Sequence, residues 1–522
     1  MKRKTIYKFL CLCLTLLMAA SAFMPVKALK STDTANVTIS EIDANYGATV
    51  TAYKLINVNL DSNGNPMDPA YKWDNAVADW LSAHEYGDYV SADDNVTDTF
   101  EKLEDDSTEI KTLVDDLASA IREGTLTVAP QTSVDVEKGT TEANYTLEMG
   151  AYLFLVSDGV KIYAPGFARV YPEYDDEHNQ WVLSADTLNI SLKSNEPAIT
   201  KTVNGEGVSV AVGETVTYTV TIDVPQYGET VSDTKKAFVV SDEMASGLTF
   251  NDDVRITAKL NDADTDISQY FTLSQEEGKL FVYTAKYDEL KAVIGDVTQI
   301  TLTYTATVNN TAYAAESLLN EAFLTYDVKP YVTAVDLKTK NDTVQSYTYG
   351  LEITKQVDTV GDLVNGTQFT LSNAEGTELK FNQKDDYYYL DVNGNATLTV
   401  DAAGKIKIHG LDLGTYTLKE IKAPEGYTVP SEVTTIVLTD TAENLGELDA
   451  VNVSGPNVKE DGTVIDATYK NQLDLIIMNY KNDFNLPTTG GMGTMIFTVA
   501  GILLMGGAVI LMVFVLRKKK EQ

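Results

Sequence analysis

The residues in this sequence best suited to chemistry are lysines placed where a strand would turn them inward. In a half-buried strand, residues at i, i+2 and i+4 share a face. Lys201 is in phase with Ile199 and Val203, and Lys355 with Leu351, Ile353 and Val357. A buried, unpaired ammonium is costly, so burial drives such an amine toward its neutral form, which is a nucleophile. Two carboxamides also phase inward: Asn320 with Leu318, Ala322 and Leu324, and Asn479 with Leu473, Leu475 and Ile477. An inward neutral amine opposite an inward carboxamide can form an amide, provided an acid polarises the carboxamide and shuttles protons. A carboxyl group in an apolar site stays protonated for that role. Asp242 follows Phe238 and Val240 in phase, and Glu420 follows Tyr416 and Leu418.

Other chemistries find little support. The three histidines, His84, His178 and His409, lack metal-ligand spacing, and no nucleophile elbow or phosphate-binding glycine loop occurs. No metal or other cofactor is expected. A single self-modification would not make the chain an enzyme. Both cysteines, Cys11 and Cys13, lie in the apolar N-terminal run, so the remaining chain has neither disulfides nor a thiol nucleophile.

The elements that must position these side chains are strands. Thr, Val, Tyr and Ile alternate with polar residues, as in Thr215-Val216-Thr217-Tyr218-Thr219-Val220 and Ile300-Thr301-Leu302-Thr303-Tyr304-Thr305. The expected fold is all-β, a tandem of immunoglobulin-like β-sandwich domains with a few helical insertions in the first domain, at 73–84 and 106–122. The phrases beginning at Ala198 and Leu351 each read as a domain's opening strand. They divide the chain into 29–196, 197–346 and 347–485, with Glu196-Pro197 at the first boundary and a polar stretch over 338–346 at the second.

The ends carry addresses. Lys2, Arg3, Lys4 and Lys8 precede an apolar run over 9–18 and small residues, which reads as a signal peptide, 1–28, cleaved after Ala28. Near the other end Leu486-Pro487-Thr488-Thr489-Gly490 precedes an apolar stretch, 495–516, long enough to be transmembrane. A basic cytoplasmic tail follows at 517–522. The formal net charge is −36, and it is more negative still without these cation-rich ends. That charge argues against nucleic-acid binding.

The order of pentapeptide, apolar stretch and basic tail resembles the cell-wall sorting signal of sortase substrates. The resemblance implies that a sortase thiolate attacks the Thr489 carbonyl, releases Gly490 onward and passes the acyl group to an amine. The internal motifs resemble those of the Gram-positive isopeptide-forming fimbrial proteins, the sortase-assembled backbone pilins. Ile199-Thr200-Lys201-Thr202-Val203, Val240-Ser241-Asp242, Gly247-Leu248-Thr249-Phe250 and Asn320-Glu321-Ala322 are similar to an isopeptide-forming fimbrial domain. Tyr416-Thr417-Leu418-Lys419-Glu420 running into Ala423-Pro424-Glu425-Gly426-Tyr427 is similar to a collagen-adhesin B-type domain.

By this resemblance Lys201 bonds Asn320 with Asp242 assisting, and Lys355 bonds Asn479 with Glu420 assisting; Asn482 is an alternative to Asn479. Lys54, in phase with Val50, Ala52, Ile56 and Val58, is the candidate for a third bond. Glu148 is its positional acid, and Asn189 and Asn195 are the nearby carboxamides, the first out of phase and the second beyond the strand. The family's polymerisation lysine sits in a Tyr-Pro-Lys motif, which is absent here. Lys193, out of phase with Leu188, Ile190 and Leu192 and so facing solvent, occupies the corresponding place.

The implied protein is a shaft subunit of a covalently polymerised pilus, secreted and attached to peptidoglycan, stiffened by Lys-Asn bonds and supporting adhesion. Its partners would be pilus-type and housekeeping sortases, other copies of itself, ancillary pilins and a host ligand. The alternative is a monomeric wall-anchored adhesin or a basal pilin that is not itself polymerised.

Overall fold

The computed structural model describes residues 28–480 except 185, 204–208, 229–230, 232–234, 313–317, 329–335, 359–363, 441–445 and 450–451. The signal segment to residue 27, Asn482, the pentapeptide Leu486, Pro487, Thr488, Thr489 and Gly490, the stretch 495–516 and the tail 517–522 lie outside the described residues. The transmembrane expectation is corrected: among the described residues no helix is long and apolar enough to cross a membrane.

Alternation makes the strands, and among the described residues the strands make three successive pairs of sheets and two short two-stranded ribbons in the N-terminal part. In Thr215–Asp223 the inward side chains Val216, Tyr218, Val220 and Ile222 are fully buried while the intervening residues stay at least partly exposed. Each such burial contributes roughly 1.5–3 kcal/mol. In the middle of the chain one sheet runs Ile199–Val203, Thr215–Asp223, Gln299–Val308, Arg255–Leu260, Ala263–Asp266, with Leu248–Phe250 also on Gln299–Val308. The facing sheet runs Phe271–Ser274, Phe281–Ala285, Phe238–Met244, Leu318–Asp327, Leu337–Ser346. A single apolar core lies between them.

The polar stretch over 338–346 is no linker. It is most of the strand Leu337–Ser346, paired residue by residue with Leu318–Asp327. Its Lys, Thr, Asn and Asp side chains hide it from an apolar-pattern reading, because both faces are polar.

The C-terminal sheets follow the same plan. Tyr349–Val357 sits centrally between Lys405–Leu411 and Gln472–Asn479, and its pairing with the latter is parallel, Lys355 opposite Ile477 and Val357 opposite Asn479. Gly414–Lys422 lies in the opposing sheet between Gln368–Ser372 and Thr434–Leu438. The junction with the preceding sandwich is tight: Val212 N donates to Gly410 O at 2.9 Å and Val210 N to Tyr347 O at 3.0 Å. Gly410 has φ +79°, and a Cβ there would meet Val212 Cγ2 at 2.3 Å, so no side chain fits.

In the N-terminal sandwich Ala48–Leu60 pairs with Pro66–Trp73, Pro130–Val136 and Gly150–Ser157. Thr34–Ser40 links Ala143–Glu148 to Leu188–Ser191 in a smaller sheet. The two expected helical insertions are Asn75–Ala83 and Thr108–Glu123. The second begins where Ser107 accepts a hydrogen bond from Ile110 N, ends at left-handed Gly124, and buries Ile110, Leu113, Val114 and Leu117 on one stripe. Helix is not confined to this region, however. Tyr287–Ile294 forms a short helix in the middle sandwich, burying Tyr287, Leu290 and Ile294 at i, i+3 and i+7.

Candidate amide-forming sites

Lys201 projects from the edge strand Ile199–Val203 across the middle core toward the opposite sheet, which carries both Asp242 and Asn320. The three side chains meet in full burial. Lys201 Nζ donates to Asp242 Oδ2 at 2.5 Å, to Asn320 Oδ1 at 2.7 Å and to the Tyr304 hydroxyl at 2.8 Å. The amine thus touches the oxygen bonded to the carbonyl carbon it would attack. Tyr218 and Tyr304 stack at 5.2 Å between ring centroids and place their faces 5.3 and 5.4 Å from Nζ, while Phe250 and Phe281 meet Tyr304 edge-on.

This apolar box sets the protonation. Burial pulls the Lys201 amine down to about 8, against the opposing pull of Asp242, and burial pushes the Asp242 carboxyl up to about 6 although Lys201 holds it down. Asp242 Oδ1 has no hydrogen-bond partner, an arrangement a neutral carboxyl tolerates better than a carboxylate. Below pH about 6 the pair holds two protons and the amine cannot attack; between about 6 and 8 it holds one, which passes from Lys201 to Asp242 to give the reactive form; above about 8 it holds none and no acid remains. Cross-link formation in freshly synthesised chain should therefore follow a bell in pH centred near 7 and fall about tenfold per unit beyond either arm. A rate that simply climbs through pH 9 would refute the acid's role.

The C-terminal constellation is assembled only in part. Asn479 Nδ2 donates to Glu420 Oε1 at 3.1 Å and to Thr428 O at 3.1 Å. Lys355, fully buried, has its amine turned to the carbonyls of Gln356 at 3.1 Å and Ile477 at 3.3 Å. No hydrogen bond joins Lys355 to Asn479 or Glu420. The parallel register leaves Asn479 opposite Val357, so lysine and asparagine share a face two residues apart. Burial lowers the Lys355 amine to about 8 and raises Glu420 above the usual carboxylate range. Asn479 Oδ1 and Glu420 Oε2 are buried without partners, as a waiting site would leave them.

The N-terminal set comes together only as far as its lysine and acid. A bulge between Lys54 and Ile56 breaks the alternation, so Leu55 and Ile56 are both buried and Lys54 is left half-buried. Its amine reaches Glu148 Oε2 at 3.4 Å in a partly exposed ion pair. Asn189 is exposed and donates to Thr187 O, and Asn195 Oδ1 accepts from Gln226 N at 3.0 Å; neither carboxamide touches Lys54. Lys193 is exposed between Leu188–Ser191 and Ser194–Asn195, in a cleft shared with Asp115, Tyr163, Gln226 and Tyr227.

The histidines hold structural places. His84 stacks on Trp80, His178 bonds Asp175, and His409 stacks on Tyr387. The residue that sequence reasoning missed is Tyr304. It sits in a strand whose alternation marks it as one more core aromatic, and only the opposite sheet reveals what its hydroxyl touches.

Three profiles match parts of the chain: a prealbumin-like fold domain over 350–452, the LPXTG cell wall anchor motif over 479–522, and the cell surface antigen I/II C2 terminal domain over 192–335. Among solved structures the chain is similar to the T6 backbone pilin of serotype M6 Streptococcus pyogenes. Identity is 18% and the TM-score 0.57, with 87% of this chain and 100% of that one covered. It is also similar to the full-length major pilin SpaD from Corynebacterium diphtheriae, at 19% identity and a TM-score of 0.50, covering 87% and 99% of the two chains. No curated protein sequence matches. The anchor motif implies a sortase and peptidoglycan as partners, and the two pilin structures share the fold of this chain. The chain is thus a cell-wall-anchored protein built on the tandem β-sandwich fold of Gram-positive backbone pilins.

Proposed function

We propose that this chain is the shaft subunit of a covalently polymerised pilus that supports adhesion. In this reading sandwich domains spanning 29–196, 197–346 and 347–485 are stiffened by Lys201–Asn320 and Lys355–Asn479 amides, and Lys193 receives Thr489 of the next subunit. The observation that carries the reading is the buried contact of Lys201 Nζ with both Asn320 and Asp242, which brings amine, carboxamide and acid together in one apolar site. The T6 and SpaD structures, named as backbone and major pilins, supply the assembly context.

The mechanical consequence follows from the strand order. Tension entering at Ile199–Val203 would pass through a Lys201–Asn320 amide and bypass the 118 residues between them. Asn320 lies on the penultimate strand, so 321–346 stay loaded, held by the ten-residue ladder between Leu318–Asp327 and Leu337–Ser346 and by Lys201 N donating to Asp342 Oδ2 at 2.7 Å. A Lys355–Asn479 amide would instead join the first and last strands of its sandwich directly.

Denaturing gels of wall extracts test the assembly. A ladder with steps of one subunit is expected from cells carrying this chain and a pilus-type sortase. A single band, with the chain still wall-bound, would instead indicate a monomeric adhesin or a basal subunit.

A further inference from the structure

The middle and C-terminal sites differ in how their acid reaches the nitrogen that must leave. Glu420 Oε1 accepts directly from Asn479 Nδ2 at 3.1 Å. Asp242, one methylene shorter, makes no hydrogen bond to Asn320. Between them stands Tyr304, whose hydroxyl donates to Asp242 Oδ2 at 2.7 Å and accepts from Asn320 Nδ2 at 2.9 Å. We propose that Tyr304 is a further catalytic residue of the middle site, relaying the proton of Asp242 to the departing nitrogen of Asn320. The inference rests on the amide-forming reading of this site and extends it to a residue outside the Lys-Asp-Asn set.

The step balances. Neutral Lys201 Nζ attacks Asn320 Cγ, placing positive charge on Nζ and negative charge on Oδ1. The attack frees the Nδ2 lone pair, and the Tyr304 hydroxyl, which also lies 3.1 Å from Asn320 Oδ1, turns its proton from Asp242 to Nδ2. The carboxyl proton of Asp242 then passes to the Tyr304 oxygen as the phenol proton passes to Nδ2, and the Asp242 carboxylate takes the surplus proton of Nζ. The Cγ–Nδ2 bond breaks, ammonia leaves, and Tyr304 and Asp242 end as they began. Burial and the neighbouring Asp242 push the Tyr304 phenol far above its ordinary range. It therefore never rests as a phenolate, and proton gain must accompany proton loss, as in a relay.

Tyr304→Phe tests this with little disturbance, since the ring among Tyr218, Phe250 and Phe281 is retained. In full chain made by cell-free synthesis and quenched at intervals, the Lys201–Asn320 cross-linked peptide should accumulate about a hundredfold more slowly than in the parent chain. Adding Asp242→Glu, which lengthens the acid to the reach Glu420 has, should recover at least about tenfold of that loss within the same general acid range. A Tyr304→Phe chain that cross-links at the parent rate overturns the relay. So does a slow one that Asp242→Glu fails to rescue, because the hydroxyl would then be serving the fold. Failure of the parent chain itself to cross-link would overturn the amide-forming reading instead.

Discussion

Asn320→Ala is expected to lower the unfolding temperature of the middle sandwich by roughly 10–20 °C, the effect of losing a cross-link worth about 4–5 kcal/mol in a domain of this size. The magnitude follows from the loop that the bond closes: the two residues are 119 apart, and a cross-link removes that much freedom from the unfolded chain. Truncation to alanine also leaves a small cavity and strips Lys201 Nζ of one of its three partners, so the variant alone mixes covalent and packing losses. Asp242→Asn separates them. It keeps the shape of the site and leaves no cavity, removing the acid and the charge that faces Lys201, and should fall by nearly the same amount if the covalent bond dominates. Calorimetry that finds Asp242→Asn within a few degrees of the parent would mean the site stabilises by packing alone.

Lys193→Arg should eliminate the subunit ladder altogether while leaving the chain wall-bound. Arginine keeps the positive charge and most of the stem but stays protonated at any physiological pH, so it cannot accept an acyl group. The position fits the task. Lys193 follows buried Leu192 at the end of the N-terminal sandwich, and its own carbonyl is held by Ala164 N at 2.9 Å, so the backbone is fixed while the amine is free to extend. The cleft beside it draws Tyr163 and Ala164 from the first sandwich and Gln226 and Tyr227 from the second, giving an incoming peptide walls on two sides. A ladder that survives the substitution would move the acceptor to another lysine.

What could be read from sequence was whatever depends on local alternation. Phase alone put Lys201, Asp242 and Asn320 on inner faces, because each lies in a strand whose alternate residues are apolar and the register of such strands is fixed by burial. Phase failed wherever the backbone departs from strict period two. One bulge after Lys54 was enough to undo the inference for the N-terminal lysine.

Pairing was not legible either. Nothing local says that Tyr349–Val357 and Gln472–Asn479 run parallel with Asn479 opposite Val357, and that offset decides whether Lys355 reaches its carboxamide. Tyr304 was invisible for the same reason, since its partners belong to the other sheet. The helix Tyr287–Ile294 was too short for its periodicity to stand out, and Leu337–Ser346 carries too few apolar residues to announce a strand.

The intact mass of the full chain, read beside that of an Asp242→Ala, Glu420→Ala double variant, tests the covalent account most directly. After allowance for the substitutions, the parent is expected to be lighter by two ammonia molecules, with Lys201–Asn320 and Lys355–Asn479 cross-linked peptides recovered after proteolysis. Equal masses, with all four side chains recovered unmodified, would contradict it.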